Sequence, residues 1–122
     1  MARHFVFTYG TLLRGERNHH LMDDENFLSE GRIKGFKMFN LGTYPGIEYG
    51  DGEVLGELYI VDDETLARLD YLEEEGTLYR REKTRIYTAH NEYDAFVYVY
   101  NLEVTDPVYI KNEYNVYSWK KR

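Results

Sequence analysis

The sequence predicts an α+β fold in which a bent β-sheet dominates. Aromatic residues make up 16% of the chain and gather in alternating segments, which is the pattern of strands. Between Gly31 and Tyr49 the apolar residues Ile33, Phe36, Met38, Phe39 and Leu41 are punctuated by turns at Gly42 and at Pro45-Gly46, as suits a curved sheet or barrel wall. A helical stripe of Leu66, Leu69 and Leu72 follows the acidic run Asp62-Asp63-Glu64, which supplies a cap and first-turn charge.

In chain order, His4 to Thr8 is a compact apolar strand that runs straight into Tyr9-Gly10-Thr11-Leu12. A strand ending in glycine can leave N–H groups pointing at an anion, and the same four residues also read as a plain turn. Leu13 to Glu30 is polar, with a short helix over His19 to Asp24 that Asn18 and His19 cap and tie to the first strand. His19 and Asp23 stand at i, i+4, yet with His20, Asp24 and Glu25 they form no recognised metal signature, and solvated polar residues are the simpler account. Asp51-Gly52 is a hairpin signal leading into a strand over Val54 to Val61. Leu78 to Thr88 and Glu92 to Asn101 form a second hairpin turning at His90-Asn91, and its last strand is apolar on both faces. The tail from Asp106 is aromatic without a clean period; it either packs over the body or offers a self-association edge, so the expectation is a monomer or weak homo-oligomer.

The helix ends in three glutamates, and its period separates them. Taking the leucine stripe as the core direction, Glu73 lies roughly 40° from its centre, Glu75 about 120° and Glu74 about 140°. Glu73 therefore points inward while its neighbours are solvated. Burial, like charge and the helix C-terminal dipole would all raise its pKa, and Gly76 reads as the C-cap. Phase alone leaves two readings open: a functional carboxylate, or a structural one paired with Arg80, Arg81 or Lys83.

The 122 residues fit a single domain, 1–122. A net charge of −7 argues against nucleic-acid binding, which a basic footprint normally supports. With no cysteine there is neither a disulfide nor thiol chemistry. Met1 to Leu13 lacks the apolar core of a signal peptide, and no run approaches the roughly 20 residues of a membrane span, so the expectation is a cytoplasmic protein with no membrane partner.

Tyr9-Gly10-Thr11-Leu12, Arg14-Gly15, Asn18-His19, Tyr44-Pro45, Gly56-Glu57-Leu58-Tyr59 and Leu69-Asp70-Tyr71-Leu72-Glu73, followed by Leu78-Tyr79 and Arg81, stand in a fixed order. This constellation, running from Phe5 to Arg85, resembles the gamma-glutamylcyclotransferase family and looks most like its small gamma-glutamylamine cyclotransferase branch. The resemblance implies a small twisted mixed β-barrel with short helices. It also implies that Glu73, the glutamate of L-D-x-x-E, is the general acid/base, and that Tyr9, Gly10, Thr11 and Leu12 hold the α-carboxylate of a small gamma-glutamyl substrate through backbone N–H groups. The implied reaction closes the substrate into 5-oxoproline and expels an amine, with no metal and no organic cofactor. Two departures stand out: Glu74-Glu75 follow where the wider family commonly has glycine, and the tail after Tyr100 carries none of the likeness. A non-catalytic small-molecule binding module on the same fold, or an amide hydrolase in which Glu73 activates water, remains a rival reading.

Overall fold

The alternating segments become strands whose pairings close on themselves. The computed structural model describes residues 2–22, 26–112 and 114–119. Its strands are β1 (Arg3–Thr8), β2 (Phe27–Asn40), β3 (Pro45–Asp62), β4 (Tyr79–Tyr87), β5 (Glu92–Tyr100) and the two-residue β6 (Val108–Tyr109) and β7 (Val116–Tyr117). The helix α1 (Asp63–Leu72) and a 3₁₀ turn over His19–Leu21 complete the described elements. Strand order is β6-β2-β4-β5-β1-β3-β7, and β2 also pairs with β3. The strands β2, β4, β5, β1 and β3 therefore form a ring, antiparallel except where β1 runs parallel to β5 with Val6 opposite Phe96. This is the mixed sheet with few helices that the sequence predicts.

Two apolar clusters follow from the period-two alternation of these strands. The first draws a buried residue from every strand of the ring, including Phe7, Ile33, Val54, Ile86 and Val97. The second lies beneath α1 and joins Leu66 and Leu69 to Val6, Tyr59, Val61, Tyr79 and Tyr98. Successive residues of β1 thus face opposite ways, Phe7 into the first cluster and Val6 into the second. Leu69 is fully buried, so its truncation to alanine falls in the range of about 2–5 kcal/mol.

Asp62 caps α1 as the acidic run predicts: its side chain accepts from the Thr65 N–H at 2.8 Å. The other end differs from the expectation. Glu73 is the C-cap, and Glu74 adopts the left-handed conformation with φ of 49°. The Glu75 N–H donates to the Asp70 carbonyl at 2.9 Å and the Glu74 N–H to the Tyr71 carbonyl at 3.2 Å, which together make a Schellman motif. Gly76 is therefore not the capping residue.

Two turn expectations also need correcting. No hairpin forms at Asp51-Gly52, because β3 runs unbroken through it. A Cβ on Gly52 would lie 2.4 Å from the Tyr117 ring, so this glycine serves close approach of the tail rather than a turn. The true turn covers residues 41–44, with Gly42 at φ 110°, and Pro45-Gly46 opens β3. The predicted helix over His19 to Asp24 is a three-residue 3₁₀ turn at His19–Leu21, and Asp23, Asp24 and Glu25 lie outside the described residues. The tail packs over the body: β6 pairs with β2, β7 pairs with β3, and the Trp119 indole N–H donates to Glu16 at 3.0 Å.

Candidate active site

Where β1 ends, the chain turns across the foot of α1 and encloses a cavity of about 260 Å³. Its walls come from four places: Phe7 to Leu12 at the end of β1, Tyr44-Pro45 at the β2–β3 turn, Leu72 to Glu74 at the end of α1, and Leu78 just before β4 with Tyr79 of β4 and Tyr98 of β5. Arg17 and Asn18 complete the lining. All five residues singled out in the sequence, Tyr9, Gly10, Thr11, Leu12 and Glu73, line this one cavity.

The loop after β1 is held from outside. Glu57 is 5% exposed on β3, and its carboxylate accepts from the Arg14 N–H at 3.0 Å, the Arg14 Nε–H at 3.2 Å and the Tyr59 hydroxyl at 3.0 Å. Asn18 ties the loop internally, donating from its N–H to the Thr11 carbonyl at 2.9 Å and from Nδ2 to Thr11 Oγ1 at 3.0 Å. His19 Nδ1 lies 3.0 Å from the Leu12 carbonyl. Asn18 and His19 thus fasten the loop after the strand, and Asn18 makes no side-chain cap on the short turn. Gly10 packs so closely on the β2–β3 turn that a Cβ there would stand 2.7 Å from Pro45 Cγ. With the loop clamped in this way, no acceptor is found among the described residues for the N–H groups of Gly10, Thr11 and Leu12. Donors of this kind at the end of a strand beside a cavity are the groups from which an anion cradle can be made.

Glu73 stands opposite, at the first residue past α1, where its N–H donates to the Leu69 carbonyl at 2.9 Å. Burial pushes its carboxyl up from 4.5 to about 7. The exposed Glu74 and Glu75 do not contribute to that shift, contrary to the expectation of like-charge repulsion. Nor does a cation relieve it. Arg81 Nη1 lies 2.5 Å from Asp70, Arg80 pairs with Glu82, and Lys83 Nζ sits over the Phe96 ring. The structural pairing with Arg80, Arg81 or Lys83 is therefore absent.

Three tyrosines surround the carboxylate, and each is raised above its ordinary pKa. Burial is the main cause in Tyr9, Tyr79 and Tyr98, and the nearby charge of Glu73 adds to all three. They remain protonated near neutrality and act as donors. Tyr9 donates to the Tyr98 carbonyl at 2.6 Å, Tyr79 to the Pro45 carbonyl at 2.7 Å, and Tyr98 to Asp70 Oδ1 at 2.7 Å. Of the cavity groups whose pKa is shifted, Glu73 is the one brought to neutrality. A half-buried carboxyl poised there can take up and return a proton.

Sequence reasoning leaves Asp70, Tyr98 and Arg17 without roles and weighs Tyr79 between orienting substrate and aromatic packing, with packing favoured. Tyr79 lies in the cluster beneath α1 while its hydroxyl fixes the β2–β3 turn. A signal for Asp70 exists: helix phase sets it about 100° from the leucine centre, at the boundary where an acid meets a partner from the next strand. Tyr98 offered no comparable signal, since its partner is set by tertiary pairing. Among the described residues no group of histidine, aspartate and glutamate is arranged to hold a metal, and no helix is long and apolar enough to cross a membrane.

Comparison with known proteins bears on the family and the fold. A family model described as "Gamma-glutamyl cyclotransferase, AIG2-like" matches residues 6–120, extending the likeness into the tail that motifs alone did not reach. The gamma-glutamylcyclotransferase family protein YtfP of Escherichia coli K12 is 37% identical over 99 residues, covering 81% of this chain and 84% of that protein. A gamma-L-glutamyl-butirosin B gamma-glutamyl cyclotransferase from Niallia circulans is 35% identical over 103 residues, covering 79% of this chain and 66% of that protein. The crystal structure of an AIG2-like protein from Mus musculus superposes with a TM-score of 0.74 at 28% identity, over 81% of this chain and 78% of that one. Family model, curated relatives and fold likeness agree, and the chain belongs to the gamma-glutamylcyclotransferase family.

Proposed function

We propose that this protein is a cyclotransferase that converts a gamma-glutamyl amide into 5-oxoproline and a free amine, with Glu73 as the general acid/base. The observation that carries this reading is the half-buried Glu73 carboxyl, pushed by burial up to about 7, in the same cavity as the N–H groups of Gly10, Thr11 and Leu12, for which no acceptor is found among the described residues. The α-carboxylate of the substrate rests on the N–H groups of Gly10, Thr11 and Leu12, and Tyr9 supports that loop through its bond to β5. At about 260 Å³ the cavity is just below the usual range of small-molecule pockets, which suits the gamma-glutamyl half of the substrate with the amine half directed outward.

The bonds and protons balance without a co-reactant. The α-nitrogen attacks the side-chain carbonyl carbon, a C–N bond forms, and collapse of the tetrahedral oxyanion breaks the original amide C–N bond. Over the cycle the α-ammonium gives up two protons and the departing nitrogen gains two, leaving as an ammonium. Glu73 makes this transfer twice, each time taking a proton from the first nitrogen, delivering it to the second and returning to its ionised state. Ring closure of a held substrate carries an effective molarity of the order of 10⁵ M or more, so positioning supplies much of the rate. The carboxyl supplies a further share. Raising it from 4.5 to about 7 makes removal of a proton from an α-ammonium easier by about 3 kcal/mol.

The test is incubation of the purified protein and its Glu73→Gln variant with a panel of gamma-glutamyl dipeptides and gamma-glutamyl amines, with 5-oxoproline as the readout. Turnover by the wild type and loss in the variant are expected. Free glutamate as the product would make the protein an amide hydrolase. Ligand binding without any product would make it a binding module.

A further inference from the structure

Thr8, the last residue of β1, carries a hydroxyl that the fold does not use. The residue is 3% exposed, and its Oγ1 finds no hydrogen-bond partner. Burying a hydroxyl without a partner is unfavourable, and native interiors rarely tolerate it. Strand alternation sets the face of the sheet that its side chain takes. Phe7 and Tyr9 face the cluster inside the ring, whereas Val6 faces the cluster beneath α1, so Thr8 shares the α1 side with Val6. That side holds the end of α1, and Thr8 lines the cavity together with Glu73.

We infer that the Thr8 hydroxyl is a substrate-binding group that donates to the α-carboxylate of the gamma-glutamyl substrate, alongside the N–H groups of Gly10, Thr11 and Leu12. The inference rests on the proposed function and adds a donor to it. A carboxylate presents about four lone-pair directions across its two oxygens. The loop offers three N–H groups without acceptors, and the Thr8 hydroxyl, one residue before Tyr9 in the same segment, supplies a fourth donor. The hydroxyl lacks a partner because its partner arrives with the substrate.

The experiment compares the wild type with Thr8→Val, which keeps the shape and removes the hydroxyl, and with Thr8→Ser, which keeps the hydroxyl. Tm is recorded for each, together with kcat and KM for a gamma-glutamyl amide. Binding of 5-oxoproline and of 2-pyrrolidinone, the same lactam without the carboxylate, is followed by calorimetry. A hydrogen bond to a charged group predicts a rise in KM of about tenfold or more in Thr8→Val, with kcat nearly unchanged because the carboxylate is held equally in ground and transition states. Thr8→Ser should restore KM. Affinity for 5-oxoproline should fall in Thr8→Val while that for 2-pyrrolidinone does not. The Tm of Thr8→Val should equal or exceed that of the wild type, since an orphan hydroxyl has been removed.

A lower Tm with unchanged KM would make the hydroxyl structural and overturn the inference. A fall in kcat at constant KM would place the hydroxyl at the reacting carbonyl and overturn it equally. Wild-type turnover with unaltered Thr8→Val kinetics would overturn this inference alone. Absence of 5-oxoproline from the wild type would overturn the proposed function, and this assignment with it.

Discussion

Asp70 and Tyr98 are joined by a hydroxyl-to-carboxylate hydrogen bond of 2.7 Å that pins the last turn of α1 to β5. The second oxygen of Asp70 lies 2.5 Å from Arg81 Nη1, so one carboxylate links the helix to both β4 and β5. Glu73 sits one turn further on and takes its position from this anchorage. Asp70→Asn keeps the size and weakens both links. It should destabilise the protein by about 1–3 kcal/mol in urea unfolding. Turnover should fall through kcat, because the displaced group is Glu73 and not the carboxylate cradle. An Asp70→Asn enzyme with wild-type kcat would show that Glu73 is positioned independently.

Glu73→Gln should lose turnover and gain stability, in a pH-dependent manner. The folded-state pKa of about 7 lies above the ordinary 4.5, so between these values the native state binds more protons than the unfolded state. Stability therefore falls as pH rises through this window, and the buried charge is most unfavourable above 7. Glutamine carries no charge at any pH. The variant should match the wild type near pH 4 and exceed it at pH 8 by up to about 3 kcal/mol, measured as the difference in unfolding free energy. Lower stability of the variant at pH 8 would reveal a favourable partner for the carboxylate.

The same carboxyl sets the pH dependence of catalysis. Glu73 begins the proposed cycle ionised, so kcat/KM should rise with pH through a single protonation with a midpoint near 7. A limb near 4.5 would mean that the carboxyl is solvated in the working enzyme. Stopped assays of 5-oxoproline across pH 5 to 9 decide between the two.

Glu74→Gly should stabilise the protein. Glu74 occupies the left-handed region at φ 49°, which disfavours any residue with a Cβ by about 1–2 kcal/mol, less the entropy that glycine adds to the unfolded chain. The expected gain is of the order of 1 kcal/mol in thermal or urea unfolding. Destabilisation would mean that contacts of the Glu74 side chain outweigh the strain.

Local information in the sequence was enough for some of this and not for the rest. The inward phase of Glu73 depends only on the helix period, and the Asp62 cap only on neighbouring residues, so both are legible. Asp51-Gly52 misleads because Asp-Gly is a local turn signal, while Gly52 answers to Tyr117, a residue far along the chain. Gly76 misleads in the same manner: the left-handed residue after the helix cap is Glu74, whose type disfavours the conformation it adopts. The idle hydroxyl of Thr8 and the clamp of Glu57 on Arg14 are invisible in sequence, because each depends on what lies across the sheet or across the cavity.

The parallel pairing of Val6 with Phe96 bears on the birth of the protein as well as its function. β1 is synthesised before every strand it pairs with, and one of its two neighbours is the fifth strand. At roughly 5–20 residues per second, several seconds of synthesis pass before the two can meet. Pairings so distant in sequence raise contact order and slow the search for the native topology. The substrate loop follows directly from β1, so the earliest part of the site to be made must wait for nearly the last strand before its cradle can take shape.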